Sequence, residues 1–136
     1  FESWPSNNQT SYYLASSGLA SVRQDEGTLE PRHEQDIIEN LPSKIENSFD
    51  VFVHDPWRPV PTLGGHAAIP AGSFDRSGID CRTDVLTYTS ALLEEDLHLA
   101  GDVAVEVFCT ADTPSFDLCA VLSEVRPDGS VYNFTQ

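Results

Sequence analysis

Serine, histidine and acidic side chains all occur in this chain, so the first chemistry to consider is hydrolysis by a serine nucleophile. Serine hydrolases of the α/β type carry that nucleophile on a Gly-x-Ser-x-Gly turn between a strand and a helix. None of the 8 glycines stands at that spacing from a serine and a second glycine. The residue types alone carry no weight without a shared geometry. We therefore predict no catalytic residue in this sequence.

Metal and phosphate sites are the next candidates. His54-Asp55 follows an apolar stretch, and a second polar group runs from His33 to Asp36. Neither has the one-face helical spacing of a zinc enzyme or the acidic loop of an EF-hand. Gly64-Gly65 is not followed by the Gly-Lys-Ser/Thr of a phosphate-binding loop. These groups are typical of solvated surface, and we predict neither a metal nor a cofactor.

The chain has three cysteines, Cys81, Cys109 and Cys119. Their number and irregular spacing fit neither a disulfide framework nor a zinc site. Cys109 falls on the apolar side of an alternating stretch, which predicts a buried thiol. Three reduced cysteines favour a reducing compartment, so we expect a cytoplasmic location.

The charge balance limits the partners. The sequence has 7 basic and 22 acidic residues, a net charge of −15. Such a chain repels phosphate backbones and anionic lipid, so we predict no nucleic-acid partner and no membrane partner. No apolar run approaches the roughly 20 residues that span a bilayer. The first ten residues are no signal peptide and the chain has no methionine, so we expect a piece of a longer protein.

The elements that must position any site have the two-residue period of β-strands. The stretch Asp102–Thr110 alternates, with one side formed by Val103, Val105, Val107 and Cys109. Phe116–Val125 repeats the alternation and ends in Arg126-Pro127-Asp128-Gly129, residue types that favour a tight turn before a strand at Ser130–Phe134. Further strands are predicted at Tyr12–Ala15, Ser48–His54, Asp84–Thr89 and Asp96–Ala100.

Helical signals are scarce. Pro31–Leu41 is the one candidate, and it is either a short helix or a loop. Residues 55–83 show no sustained period, which predicts a long irregular loop inside a single domain over 1–136. Short antiparallel strands joined by turns indicate an all-β β-sandwich or jelly roll. The sequence stops at Gln136 within a hairpin strand, so we expect a partial domain whose open edges also allow homo-oligomers.

The long loop is the most informative segment for function. It carries apolar side chains on a connection rich in proline and glycine: Trp57, Leu63, Ala67, Ala68, Ile69 and Phe74. Exposed apolar patches usually mark a contact surface. The alternative, that the loop folds over one end of its own sandwich, stays open on the residues alone.

Three stretches together resemble a known family. They are FDVFVHDPWRPVPTLGG (Phe49–Gly65), RTDVLTYTSALLEEDLHLAGDVAVEVF (Arg82–Phe108) and FDLCAVLSEVRPDGSVYNFTQ (Phe116–Gln136). In their order and in their residues, these motifs resemble those of the C-terminal non-catalytic domain of the X-Pro dipeptidyl-peptidase and cocaine esterase (CocE/NonD) hydrolases. Trp4-Pro5 and Tyr12–Ser21 also resemble the start of that domain, so the resemblance covers nearly the whole chain.

The resemblance implies a jelly-roll, galactose-binding-like domain that follows an α/β-hydrolase domain, with the Ser-Asp-His triad wholly in that preceding domain. It implies an accessory role in a hydrolase of acyl esters or amides, capping the catalytic domain and lining its acyl pocket. The residues expected in that wall or interface are Trp57, Leu63, His66, Ala68, Ile69 and Phe74. The acidic Val22–Ser48 insert and the small Ala67 and Ala68 depart from the family pattern.

Two other functions stay open. A galactose-binding-like fold also serves as a free-standing carbohydrate-binding module, which needs aromatic platforms on one face. Trp4, Trp57, Tyr12 and Tyr13 are available, but they form no clear stripe. A purely structural domain would differ from the accessory domain only in that its loop does not reach substrate.

Overall fold

The computed structural model describes residues 10–31, 49–66 and 68–135. Regular structure in these ranges consists of strands and one helical turn, as an all-β class requires. The elements are β1 (Tyr12–Ala15), β2 (Thr28–Pro31), α1 (Ser77–Asp80), β3 (Thr89–Ser90), β4 (Leu122–Val125) and β5 (Val131–Thr135). The chain divides into two compact units, the first formed by residues up to Val60 and Ile79–His98, the second by Pro61–Gly78 and the residues from Leu99 onward.

The first unit contains a sheet in the order β1-β2-β3. β1 pairs antiparallel with β2, Tyr13 facing Glu30, and β2 pairs parallel with β3. Tyr13 and Ala15 are half-buried while Tyr12 and Leu14 are exposed, as expected for a strand whose side chains point alternately to opposite faces. Predicted β1 is therefore confirmed with its bounds.

Gly27 brings β2 close to the segment before β3. Its carbonyl accepts a hydrogen bond from Thr89 N at 3.0 Å. A Cβ at this position would overlap the carbonyl of Thr87 and touch the Tyr88 ring. Glycine is required here because two backbones approach each other where β2 and β3 begin.

Asp50 ties three separate segments of the first unit together. Its carboxylate accepts hydrogen bonds from Ser16 Oγ at 2.7 Å, Ala20 N at 2.9 Å and Tyr88 Oη at 2.6 Å. Burial raises the pKa of Asp50, but these three donors outweigh it, so the pKa lies below its usual value. Ser21 Oγ adds a bond to the carbonyl of Val51 at 2.7 Å. A polar cluster thus fixes the β1–β2 connection.

The second unit contains the antiparallel hairpin β4-β5, with a register irregularity between Leu122 and Ser123. Gly129, with φ of 85°, completes the turn and donates to Arg126 O at 2.9 Å. The Arg126 guanidinium lies 3.8 Å from the Tyr132 ring centroid, a cation–π contact across the hairpin. The hairpin prediction is confirmed, because Pro-Asp-Gly turn chemistry is local and needs no distant partner.

Several other strand predictions are wrong. Asp102–Thr110, Asp96–Ala100 and residues 49–54 form no ladder, and Ser48 lies outside the described residues. Of the predicted strand Phe116–Val125, only Leu122–Val125 forms a strand. Of the predicted strand Asp84–Thr89, only Thr89 lies in a strand. Alternation shows which side of a strand could be buried, but a strand also needs a hydrogen-bonded neighbour.

β2 was missed, because Thr-Leu-Glu-Pro lacks a recognisable period. Pro31 ends β2, and the remainder of the Pro31–Leu41 candidate lies outside the described residues.

Burial also differs from expectation. Ala20 and Ile79 are the buried hydrophobic side chains of the described ranges. Cys109, predicted to be a buried thiol, is exposed, as are Cys81 and Cys119. The cause is the same as for the strands, since Asp102–Thr110 has no facing layer in the described chain against which its apolar side could pack.

Candidate functional site

The loop Pro61–Gly78 of the second unit is anchored at its base by a pair of glycines. Gly65 N donates to Gly72 O at 2.8 Å, and Gly72 N donates back to Gly65 O at 3.0 Å. Gly64, with φ of 68°, precedes this bridge, and a Cβ there would collide with Gly72 O and the Phe74 ring. The Leu-Gly-Gly sequence folds this way because only glycine allows both the positive φ and the close approach.

Asn133 on β5 holds the returning arm of the loop. It is 1% exposed, and its Oδ1 accepts a hydrogen bond from Phe74 N at 2.8 Å. Its Nδ2 donates a longer bond of 3.4 Å to Gly72 O. A buried amide with both ends engaged fixes backbone geometry, because leaving either group unpaired would carry a desolvation cost.

Asp75 and Arg76 continue this arm alongside β5. Arg76 N donates to Val131 O at 2.7 Å, and Asp75 Oδ1 accepts from Val131 N at 3.1 Å and from Ser77 N at 3.0 Å. These backbone donors hold the pKa of Asp75 below its usual value, the bond from Ser77 being the largest cause. The buried Arg76 also reaches Leu63 O at 3.4 Å. The arm therefore forms an added, short strand contact on the hairpin.

The predicted wall residues divide between the two units. Five of them lie in the anchored loop: Leu63, His66, Ala68, Ile69 and Phe74. Leu63, Ala68 and Phe74 are half-buried, His66 is exposed, and Ile69 is 100% exposed at the tip, before a cis peptide bond to Pro70. Trp57 belongs to the first unit and is 93% exposed. Ala67 lies outside the described residues.

The region predicted as irregular, 55–83, has more order than the sequence indicated. It contains the glycine bridge, the Asp75–Tyr132 bridge and α1. The residues that create this order, Asn133 and Arg76, were missed as site residues. No local pattern in the sequence marks these two residues, because their contacts join positions that are far apart along the chain.

In the described part of the chain, no three His, Cys, Asp or Glu side chains converge in a way that could hold a metal ion. Within the same ranges, no helix is long and apolar enough to cross a bilayer. The loop itself has an anchored base and a fully exposed Ile69 at its tip.

The family model of the X-Pro dipeptidyl-peptidase C-terminal non-catalytic domain matches residues 1–136. This chain belongs to that family. The resemblance noted from the Phe49–Gly65, Arg82–Phe108 and Phe116–Gln136 motifs is thereby confirmed. The family description places no catalytic residues in the domain.

Curated relatives are named as esterases. The chain is 30% identical over 128 residues to cocaine esterase of Rhodococcus sp. (strain MB1 Bresler), covering 92% of this chain and 21% of that protein. It is 29% identical over 136 residues to proteins named "Putative serine esterase" from Mycobacterium bovis and Mycobacterium tuberculosis, covering 99% of this chain and 19% of each. The chain thus spans about a fifth of their length. No solved structure matches it significantly.

Proposed function

We propose that this chain is the accessory, non-catalytic domain of a serine hydrolase that acts on acyl esters or amides. Membership of the non-catalytic domain family and the relatives named as esterases support this role. The proposal includes a jelly-roll, galactose-binding-like β-sandwich for the complete domain. It also includes a preceding α/β-hydrolase domain, which this domain caps.

The loop Pro61–Gly78 is the part of the chain that would line the acyl pocket. The observation that carries this assignment is the contrast between its base and its tip. The base is held by the Gly65–Gly72 bridge and by Asn133, while Ile69 at the tip is fully exposed. The exposure of Ile69 leaves its side chain available for contact with another surface.

Docking of this tip is energetically reasonable. Fully burying an isoleucine side chain is worth about 1.5–3 kcal/mol relative to leaving it in water. The anchored base means that little loop entropy remains to be lost when the tip meets another surface. The half-buried Ala68 and the neighbouring Ile69 would give a pocket wall of small to medium aliphatic side chains.

The chemistry would take place on the preceding domain. A serine there would attack the acyl carbonyl, a histidine would transfer the proton, and backbone donors would hold the oxyanion. The contribution of the present chain would be to exclude water and to shape the acyl side of the pocket.

The test compares this chain with its complete parent protein on p-nitrophenyl acyl esters. We expect hydrolysis at the background rate from the 136-residue chain and turnover from the parent. Heat-denatured chain provides the background control. A burst of p-nitrophenol that titrates with the isolated chain would contradict a non-catalytic role.

A further inference from the structure

A cleft of about 350 Å³ lies wholly within the first unit. Pockets of about 300–1,000 Å³ are the usual size for small-molecule sites. Its lining is mixed, with Val53 and Cys81 beside charged and polar residues, and it includes two of the chain's 7 basic residues. The lining residues used below are Asp55, Arg58, Arg82, Thr83 and Asp84.

One wall of the cleft is fixed by Arg82. Its guanidinium forms a two-pronged pair with Asp84, Nε to Oδ1 at 2.7 Å and Nη2 to Oδ2 at 2.6 Å. The same Nη2 donates to the carbonyl of Arg58 at 2.6 Å. Arg82 and Asp84 therefore neutralise each other, and their pair holds the backbone of Arg58 in place.

The turn that presents Arg58 is also fixed from its other side. Arg58 N donates to Asp55 O at 3.0 Å, and Trp57 N donates to Asp55 Oδ1 at 2.9 Å. Three hydrogen bonds thus set the backbone around Arg58 before any ligand arrives. A preorganised backbone lowers the entropic cost of binding.

The guanidinium of Arg58 has no hydrogen bond or ion pair with any residue in the described ranges. Arg23, Arg82 and Arg126 are each paired with a carboxylate there, although the chain as a whole carries −15. Thr83 belongs to the same lining, and its hydroxyl likewise has no hydrogen-bond partner among the described residues. Two residues of the cleft lining, Arg58 and Thr83, therefore carry side-chain donors that have no acceptor among the described residues.

We propose that this cleft binds a small-molecule carboxylate, with the Arg58 guanidinium as a two-pronged donor and the Thr83 hydroxyl as a further donor. A guanidinium matches the planar geometry of a carboxylate. The formal charges of Arg58, Arg82, Asp55 and Asp84 sum to zero, so a monoanion is accepted more readily than a dianion in this strongly acidic chain. The site is separate from the loop proposed to line the acyl pocket and does not depend on it.

The experiment is a titration of the isotope-labelled 136-residue chain followed by two-dimensional NMR, with benzoate as probe. Benzamide is the neutral analogue of the same shape, and inorganic phosphate is the more highly charged anion. We expect saturable shifts of the amides around Arg58 and Thr83 with benzoate, and weaker binding of both comparison probes.

Variants assign the binding to the guanidinium. Arg58→Gln should weaken benzoate binding about tenfold or more, because a hydrogen bond to a charged group is lost. Arg126→Gln removes the same charge from the β4–β5 turn and should leave the affinity unchanged. Arg58→Lys keeps the charge without the two-pronged geometry and should weaken benzoate binding by a few-fold. This variant still tests the guanidinium if Arg58→Gln does not fold.

Three results would overturn the proposal. They are the absence of saturable benzoate shifts, equal binding of benzamide or phosphate, and unchanged benzoate affinity in both folded Arg58 variants.

Discussion

At the scale of single residues, the first unit is organised around a charged hydrogen bond between Tyr88 and Asp50. The Tyr88 hydroxyl lies 2.6 Å from the carboxylate, and the pKa of Tyr88 is raised by its burial and by this charge. The pKa of Asp50 is lowered, because its donors outweigh the effect of burial. The raised pKa of Tyr88 and the lowered pKa of Asp50 share one cause, a hydrogen bond that favours ionised Asp50 beside neutral Tyr88.

This pair predicts a pH-dependent stability. A carboxyl whose pKa is lower in the folded state stabilises the fold above its unfolded pKa, near 3.8, and this stabilisation is lost as the pH falls through the folded value. Tyr88→Phe should reduce the free energy of unfolding at pH 7 by about 1.5–3 kcal/mol, as expected for a hydrogen bond to a charged group. The loss should shrink as the pH falls through the folded pKa of Asp50, which lies below 3.8.

Urea unfolding at pH 7 and at pH 2.5 measures both effects. Tyr12→Phe is the matched control, because Tyr12 is an exposed tyrosine on β1 of the same unit. Equal losses for Tyr88→Phe at the two pH values would show that the contact does not depend on the charge of Asp50.

At the scale of elements, the base of the loop Pro61–Gly78 depends on Gly64. A Cβ there meets the carbonyl of Gly72 and the Phe74 ring at a backbone φ of 68°. Gly64→Ala should therefore destabilise the chain by about 1–3 kcal/mol through backbone strain and collision.

Gly78 provides the control for this substitution. It lies in α1, and a Cβ added there has nothing within 4 Å. Gly78→Ala should be neutral or stabilise the chain by up to about 1 kcal/mol, because alanine favours helical backbone. Thermal unfolding followed by circular dichroism compares the two variants. Similar midpoints for both would show that the Gly64 backbone does not need glycine.

The elements also show how far the sequence could predict the structure. β1 was predicted with its bounds, and the β4-β5 hairpin was predictable because the Pro127-Asp128-Gly129 turn is a local signal. β2 was not, since it owes its place to the close approach of Gly27 and Thr87. Asp102–Thr110 alternates strongly, yet its pairing depends on residues far away in sequence.

The same distinction applies to the candidate site. The apolar composition of the loop placed Leu63, Ala68, Ile69 and Phe74 together in one segment. The sequence could not reveal that Asn133, 59 positions from Phe74, holds that segment by a side-chain hydrogen bond. Long-range side-chain contacts of this kind have no periodic signature.

At the scale of the whole molecule, the charge of −15 governs encounters with other macromolecules. The few arginines described in the structure are largely paired with carboxylates, so no basic patch offsets this field. Retention on a heparin column at physiological salt should be undetectable, because heparin is itself a dense polyanion. Elution with the void volume is the expected result. Retention that weakens with added salt would reveal a basic surface that the net charge conceals.

In the proposed parent protein, the tip of the loop Pro61–Gly78 would contact the acyl pocket of the preceding hydrolase domain. The most direct test of this contact is kcat/KM of the complete parent carrying Ile69→Asp. A buried, poorly paired carboxylate should cost about 1–3 kcal/mol of transition-state binding, or roughly 5- to 150-fold in kcat/KM. Val22→Asp, an exposed apolar residue of the β1–β2 connection, is the control and should leave kcat/KM unchanged.

The stability of the isolated chain is measured alongside and should change by no more than about 0.5 kcal/mol in either variant, as is usual for exposed positions. We expect a loss of kcat/KM for Ile69→Asp alone, with the stability of the isolated chain preserved. A large loss of stability would instead place Ile69 in a core of its own domain. Unchanged kcat/KM and unchanged stability together would contradict any role of the loop in the acyl pocket.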